Sequence, residues 1–99
     1  MLFSDDAEIL KLCVENAVAS GCDLLDANLQ GADLRDAKLS GADLQGANLE
    51  NSDLQDAYLW GANLMGANLR GANLRCADLR DADLQGADLR DAVLRGANL

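Results

Sequence analysis

The sequence predicts an all-β solenoid, closed at its start by a short capping helix. Three observations predict it. Leucine occupies every fifth position from Leu24 to Leu99, sixteen times without a miss. The residue two places before each leucine is alanine fourteen times, with Cys22 and Ser52 as exceptions. Two places after leucine stands glycine eight times and aspartate five, with Asn51 and Cys76 once each. A helix repeats every 3.6 residues and a strand every 2, so a period of five fits neither. Self-similarity this regular overrides local propensity.

The tube follows from elimination. On a helix, steps of five turn about 140°, at about 100° per residue, and scatter the leucines around all sides. On a straight strand an odd step sends successive leucines to opposite faces. A bent strand buries them all. Ala and Leu, two apart, share one face of an extended segment, and the Asp or Asn between them points to water. The last two residues of each unit then turn the chain, and Gly, Asn and Asp tolerate the positive φ that such corners need. Each unit is one short side and one corner, and successive coils stack at about 4.8 Å. The sequence has no proline, which suits coils whose N–H groups must all be available to the next coil. Small alanine and large leucine alternate inward, filling a narrow interior, and each buried leucine contributes about 2 kcal/mol.

Units such as "ANLQG" (27–31), "ADLQG" (42–46) and "ANLRG" (67–71) resemble the pentapeptide repeat family, and the resemblance covers residues 22–99. It implies a right-handed quadrilateral β-helix with four units per coil, and so about four coils here, with Leu and Ala inward. Cys22 and Ser52 depart from the pattern but are small enough for the interior. The resemblance also carries an alternative function, a DNA-mimicking binder or inhibitor of DNA gyrase or another DNA-binding protein, because some family members mimic DNA in shape and charge and inhibit DNA gyrase, protecting it from quinolone drugs. Those members look longer and capped.

Residues 1–21 do not follow the repeat and form a separate entry segment ahead of the solenoid at 22–99. Ser4 can cap a helix over about 5–16, with Asp5, Asp6 and Glu8 in a first turn that favours acids. Ile9, Leu10, Cys13, Val14 and Ala17 supply an apolar face, Gly21 a stop. A degenerate unit centred on Ala19 can follow. The helix is expected to cap the first coil, covering Leu24, Leu29 and Leu34, because repeat proteins need covered ends. At the other end nothing in the sequence caps the last coil. Leu84, Leu89, Leu94 and Leu99 are therefore expected at a bare edge that can pair end to end with another chain.

Net charge is −9, all of it from residues 1–60, since residues 61–99 hold five acids and five bases. An acidic surface argues against direct nucleic-acid binding and suits a basic partner or simple solubility. No apolar run spans a bilayer, and the first ten residues carry acids where a signal peptide needs positive charge, which points to the cytoplasm. Cys13, Cys22 and Cys76 match no metal or redox spacing, and with no histidine no cofactor, metal or catalytic site is expected. They read as reduced, mostly packed thiols.

The expected function is non-catalytic, a rigid acidic rod that assembles through its last coil with itself or another repeat chain. With four units per coil, Asn28, Asn48 and Asn68 stack as a hydrogen-bonded ladder. Asp23, Asp33, Asp36, Asp43, Asp53 and Asp56 form a candidate acidic face. Lys38 and Tyr58 share one column with Asp78, beside Ser40, Trp60 and Arg80. Tyr58 and Trp60 replace routine outward residues, and exposed aromatics near Arg and Lys make Lys38, Tyr58, Trp60 and Arg80 a candidate contact site.

Overall fold

A computed structural model describes residues 6–99, with side chains from Glu8 onward. One helix, α1 (Asp6–Ala19), precedes the repeats. The expected cap at Ser4 and the acid at Asp5 lie outside the described residues. The helix ends where Gly21 allows it. Cys22 N–H donates to Ala17 O at 2.9 Å and Gly21 N–H to Val18 O at 3.0 Å, with Gly21 at φ 77°. That pair of bonds is a Schellman closure and satisfies two carbonyls the helix would otherwise orphan. The helix therefore runs three residues past the expected Asn16, and Ala19 is its last residue rather than the centre of a repeat unit.

From Asn28 onward the chain is a β-helix. Every bridged pair is parallel and joins residues twenty apart, from Asn28↔Asn48 to Asp78↔Asn98, which is four five-residue units per turn. From Asn48 onward the outward residue before each leucine donates its N–H to the carbonyl of the alanine position one coil back, as Asn63 does to Ala42 O at 2.8 Å. Each leucine from Leu24 to Leu79 donates forward, as Leu64 does to Asp83 O at 2.8 Å, and so does each corner residue from Asp26 to Cys76, as Gly66 does to Gln85 O at 2.9 Å. A turn bond closes each corner, for example Ala67 N–H to Leu64 O at 3.0 Å. All fifteen corners from Asp26 to Gly96 have positive φ, between 57° and 74°. With a corner in every unit, only one residue per side remains in bridging geometry, so the sides are isolated bridges and not extended strands.

The interior holds what the period predicts. Leu34 through Leu74 are fully buried at every repeat, with alanines between them. Ser52 takes an alanine place at 1% exposure, and its hydroxyl has no hydrogen-bond partner among the described residues. Cys22 does not enter the interior. Its N–H belongs to the helix closure, and its side chain is exposed. Nor are the other thiols packed, because Cys13 lies on the outer side of α1 and Cys76 occupies a corner at φ 59°.

The cap touches the solenoid through a narrower face than expected. Val14 is 5% exposed and Val18 packs beside it, whereas Ile9 is 56% exposed and Leu10 and Cys13 also face outward. Polar contacts do the rest. Lys11 Nζ donates to Arg35 O at 3.3 Å. The Glu15 carboxylate accepts Lys38 N–H at 2.7 Å, the amide for which a preceding coil would have supplied a carbonyl. Beneath the helix Leu29 and Leu34 are buried, and Leu24 is half-buried.

Two residues break the repeat at a physical cost. Ser52 buries an unpaired hydroxyl, and Cys76 holds a Cβ in left-handed backbone. Ser52→Ala and Cys76→Gly are each expected to raise stability by about 0.5–1 kcal/mol in urea melts. Cys76→Val, which makes the corner β-branched, is expected to lower it.

Candidate interaction surfaces

Residues flanking a leucine share the outward face, so their side chains meet. The Asp or Asn before each leucine turns its Oδ1 onto the N–H two residues on, as Asn68 does for Arg70 at 3.1 Å and Asp83 for Gln85 at 3.0 Å. This Asx contact supports each corner locally. It also explains why Asn28, Asn48 and Asn68 are joined through backbone bridges and not by the expected side-chain ladder. Cross-coil amide bonds occur where Asn stacks below Asp, from Asn63 to Asp43 at 3.4 Å and from Asn73 to Asp53 at 3.1 Å.

The same geometry sorts the arginines. In Asp-Leu-Arg the two charged side chains form a two-pronged pair. Arg90 Nε and Nη2 meet Asp88 Oδ1 and Oδ2 at 2.9 and 2.6 Å, and Arg35–Asp33 and Arg80–Asp78 repeat the arrangement. The guanidinium hydrogen bonds hold the Asp33 and Asp78 carboxyls below the usual range and bring Asp88 to about 2. Where Asn or Val precedes the leucine, the guanidinium has no such neighbour. Among the described residues, Arg70, Arg75 and Arg95 make no ion pair. The three-residue pattern was present in the sequence and separates engaged from open arginines.

The candidate contact residues do stand together. Lys38, Tyr58 and Asp78 are bridged in one column, and Ser40, Trp60 and Arg80 follow them on the same side. Tyr58 and Trp60 are 51% and 50% exposed. Arg80 is committed to Asp78, so among the described residues Lys38 is the open cation of that group. A shallow cleft of about 400 Å³, lined by Val18, Ala19, Lys38 and Ser40, lies above it where α1 meets the first coil.

The six acids of the candidate acidic face do not share one side. Asp33 and Asp53 are bridged in one column, with Asp36 and Asp56 at its corners, while Asp43 is bridged to Asn63 in another column, and Asp23 lies beside Asp43. Arg35 sits between Asp33 and Asp53, at 2.7 and 3.8 Å. A second cleft of about 310 Å³ joins Asp33, Arg35 and Asp36 to Glu8 and Lys11. Among the described residues no group of Cys, Asp and Glu converges to hold a metal ion, and no helix is long and apolar enough to cross a membrane.

At the far end the leucines lose cover by degrees. Leu79 is 2% exposed, Leu84, Leu89 and Leu94 are half-buried, and Leu99 is 70% exposed. The leucine-to-next-coil bonds stop at Leu79, whose N–H reaches Asn98 O at 2.7 Å.

Comparison with known proteins decides the family. A family model described as pentapeptide repeats (8 copies) matches residues 14–46, 32–71, 42–81 and 72–99. The chain belongs to the pentapeptide repeat family. It is similar to the crystal structure of the pentapeptide repeat protein Rfr23 from the cyanobacterium Cyanothece 51142, at 43% identity and TM-score 0.51 over 77% of this chain. The chain spans 58% of the length of that relative. A second pentapeptide repeat protein, from Nostoc PCC 7120, is 41% identical at TM-score 0.48, over 77% of this chain and 72% of its own. A third, from the Arabidopsis thaliana thylakoid lumen, is 33% identical at TM-score 0.49, over 86% of this chain and 51% of its own. No curated protein matches.

The Asp-Leu-Arg pairs give a direct titration test. A depressed carboxyl pKa contributes stability above the ordinary value of about 3.9, and that contribution fades as pH falls through the folded value, about 2 for Asp88. In Arg90→Ala the Asp88 carboxyl resonance is expected to titrate near the ordinary carboxylate range. A titration that stays near 2 would show that the guanidinium is not the cause.

Proposed function

We propose that this pentapeptide repeat protein is a non-catalytic interaction module, a rigid acidic rod with an exposed pairing edge at its last coil. This rests on the right-handed quadrilateral winding of about four coils that the family resemblance implies. The observation that carries it is the state of residues 80–99. There, among the described residues, the N–H groups of Leu84, Leu89, Leu94 and Leu99 make no backbone bond, and their side chains grade from half-buried to 70% exposed. Such an edge is a template for a further coil. A second copy supplies both hydrogen bonds and apolar cover, and a two-fold arrangement closes the contact without forming fibres.

Charge supports the same end. The first sixty residues carry the whole net −9, while the last thirty-nine are neutral and permit close approach. The gyrase-directed alternative needs a sustained anionic surface to stand in for a duplex. Arg35 between Asp33 and Asp53, and five arginines from Arg70 to Arg95, interrupt that surface. A gyrase supercoiling assay separates the two readings, because inhibition at low protein concentration would favour the alternative.

The 99-residue chain is expected to self-associate in sedimentation equilibrium, with a contact well below the standard interface of about 1,600 Å². Leu94→Glu places a charge on the edge and is expected to leave monomer. Unchanged association of Leu94→Glu would remove the last coil from the interface.

A further inference from the structure

One side of the solenoid is built as two complementary halves. Asp33, Asp53, Asn73 and Val93 are bridged in succession down this side, at about 4.8 Å per coil. Beside them run Arg35, Gln55, Arg75 and Arg95, then the corners Asp36, Asp56, Cys76 and Gly96. The upper half, 33–36 with 53–56, holds four carboxylates and one guanidinium. The lower half, 73–76 with 93–96, holds two guanidiniums and no acid.

The open groups in each half match. Arg35 is spent on Asp33 and reaches Asp53 at 3.8 Å, whereas Asp36 and Asp56 make no ion pair among the described residues. Arg75 and Arg95 also make none, because Asn73 and Val93 stand where a pairing Asp would be. Two exposed carboxylates and two exposed guanidiniums thus share one straight side, separated along its length. Close to its centre lies an uncharged pair, with Asn73 Nδ2 donating to Gln55 Oε1 at 3.5 Å.

We infer that this side is a self-recognition surface that docks a second copy of the chain antiparallel, side against side. A two-fold axis crossing the side between the Gln55 and Arg75 coils sets the 53–56 coil against the partner's 73–76 coil and the 33–36 coil against its 93–96 coil, so that the partner's Arg75 faces Gln55 between Asp53 and Asp56, and the partner's Arg95 faces Arg35, itself tied to Asp33 and Asp53, between Asp33 and Asp36. The same contacts then recur in reverse, as an isologous interface requires. At the centre Gln55 faces the partner's Arg75 and Asn73 faces the partner's Asp53, so no like charges meet there. Asp91, at the other corner, falls opposite the partner's Gly31. A parallel arrangement would place acid on acid and base on base, so the charge pattern selects the antiparallel one. The net charge of each chain opposes association at long range, but at 0.15 M salt screening acts over about 8 Å and leaves the facing pairs effective. This contact does not use the edge of the last coil.

Charge reversal followed by mixing tests it. In sedimentation equilibrium at 0.15 M salt, Arg75→Glu/Arg95→Glu is expected to weaken side-by-side association about tenfold or more, because acid then faces acid. Asp36→Lys/Asp56→Lys is expected to do the same, with base facing base. An equimolar mixture of the two variants is expected to recover association as a one-to-one pair, which neither misfolding nor a change in net charge would produce. Circular dichroism melts check that each variant folds. Leu94→Glu, which addresses the last coil, is expected to leave the mixed pair intact. Failure of the mixture to associate, with both variants folded, would overturn the side-by-side surface. So would wild-type and Arg75→Glu/Arg95→Glu chains of equal association.

Discussion

Everything in this fold depends on the backbone ladder between residues twenty apart. Leucine and corner amides donate forward to the next coil, and the amide before each leucine donates back. These bonds require every coil to place the same unit position above itself. A five-residue unit achieves this only if each corner turns by the same amount, which is why all fifteen corners share a positive φ. Once the corners are fixed, the leucines converge without any long-range instruction. Packing then rewards a register the turns have already set, and the few aromatic residues are not needed inside, with Tyr58 and Trp60 left half exposed.

Because the ladder and the leucine stack use only the inward and backbone groups, the outward positions are released from structural duty. They carry the charge pattern and the aromatic pair. The proposed roles of the protein draw on that freedom, and on the ends of the described ladder. At the start, α1 substitutes for a coil, with Val14 and Val18 covering leucines and the Glu15 carboxylate accepting an otherwise orphaned amide. At the last coil no described group plays that part, and Leu99 stands exposed.

Much of this was legible in the residues. The period, the inward Ala and Leu, the corner residues and the stop at Gly21 follow from steric rules that act within a few residues. The column of Lys38, Tyr58 and Asp78 follows once four units make a turn, a number supplied by family resemblance and not by spacing. Other features were not legible for equally physical reasons. The docking face of α1 depends on its orientation over the first coil, which put Val14 and Val18 inside and left Ile9 and Leu10 in water. Counting acids by columns missed that they divide between sides, and that Arg35 lies between two of them. The Asp-Leu-Arg pairing was visible but overlooked, since it needs the knowledge that residues two apart stand together outside.

Amide hydrogen exchange tests the ladder most directly. In dilute solution, the N–H groups of Leu34 through Leu79, each donating to the following coil, are expected to exchange slowly. Those of Leu84, Leu89 and Leu94 have the same sequence surroundings but donate to no backbone carbonyl among the described residues, and in the 99-residue chain are expected to exchange fast. Uniform protection of all these leucine amides, or protection that ignores the twenty-residue register, would contradict the coil-to-coil ladder.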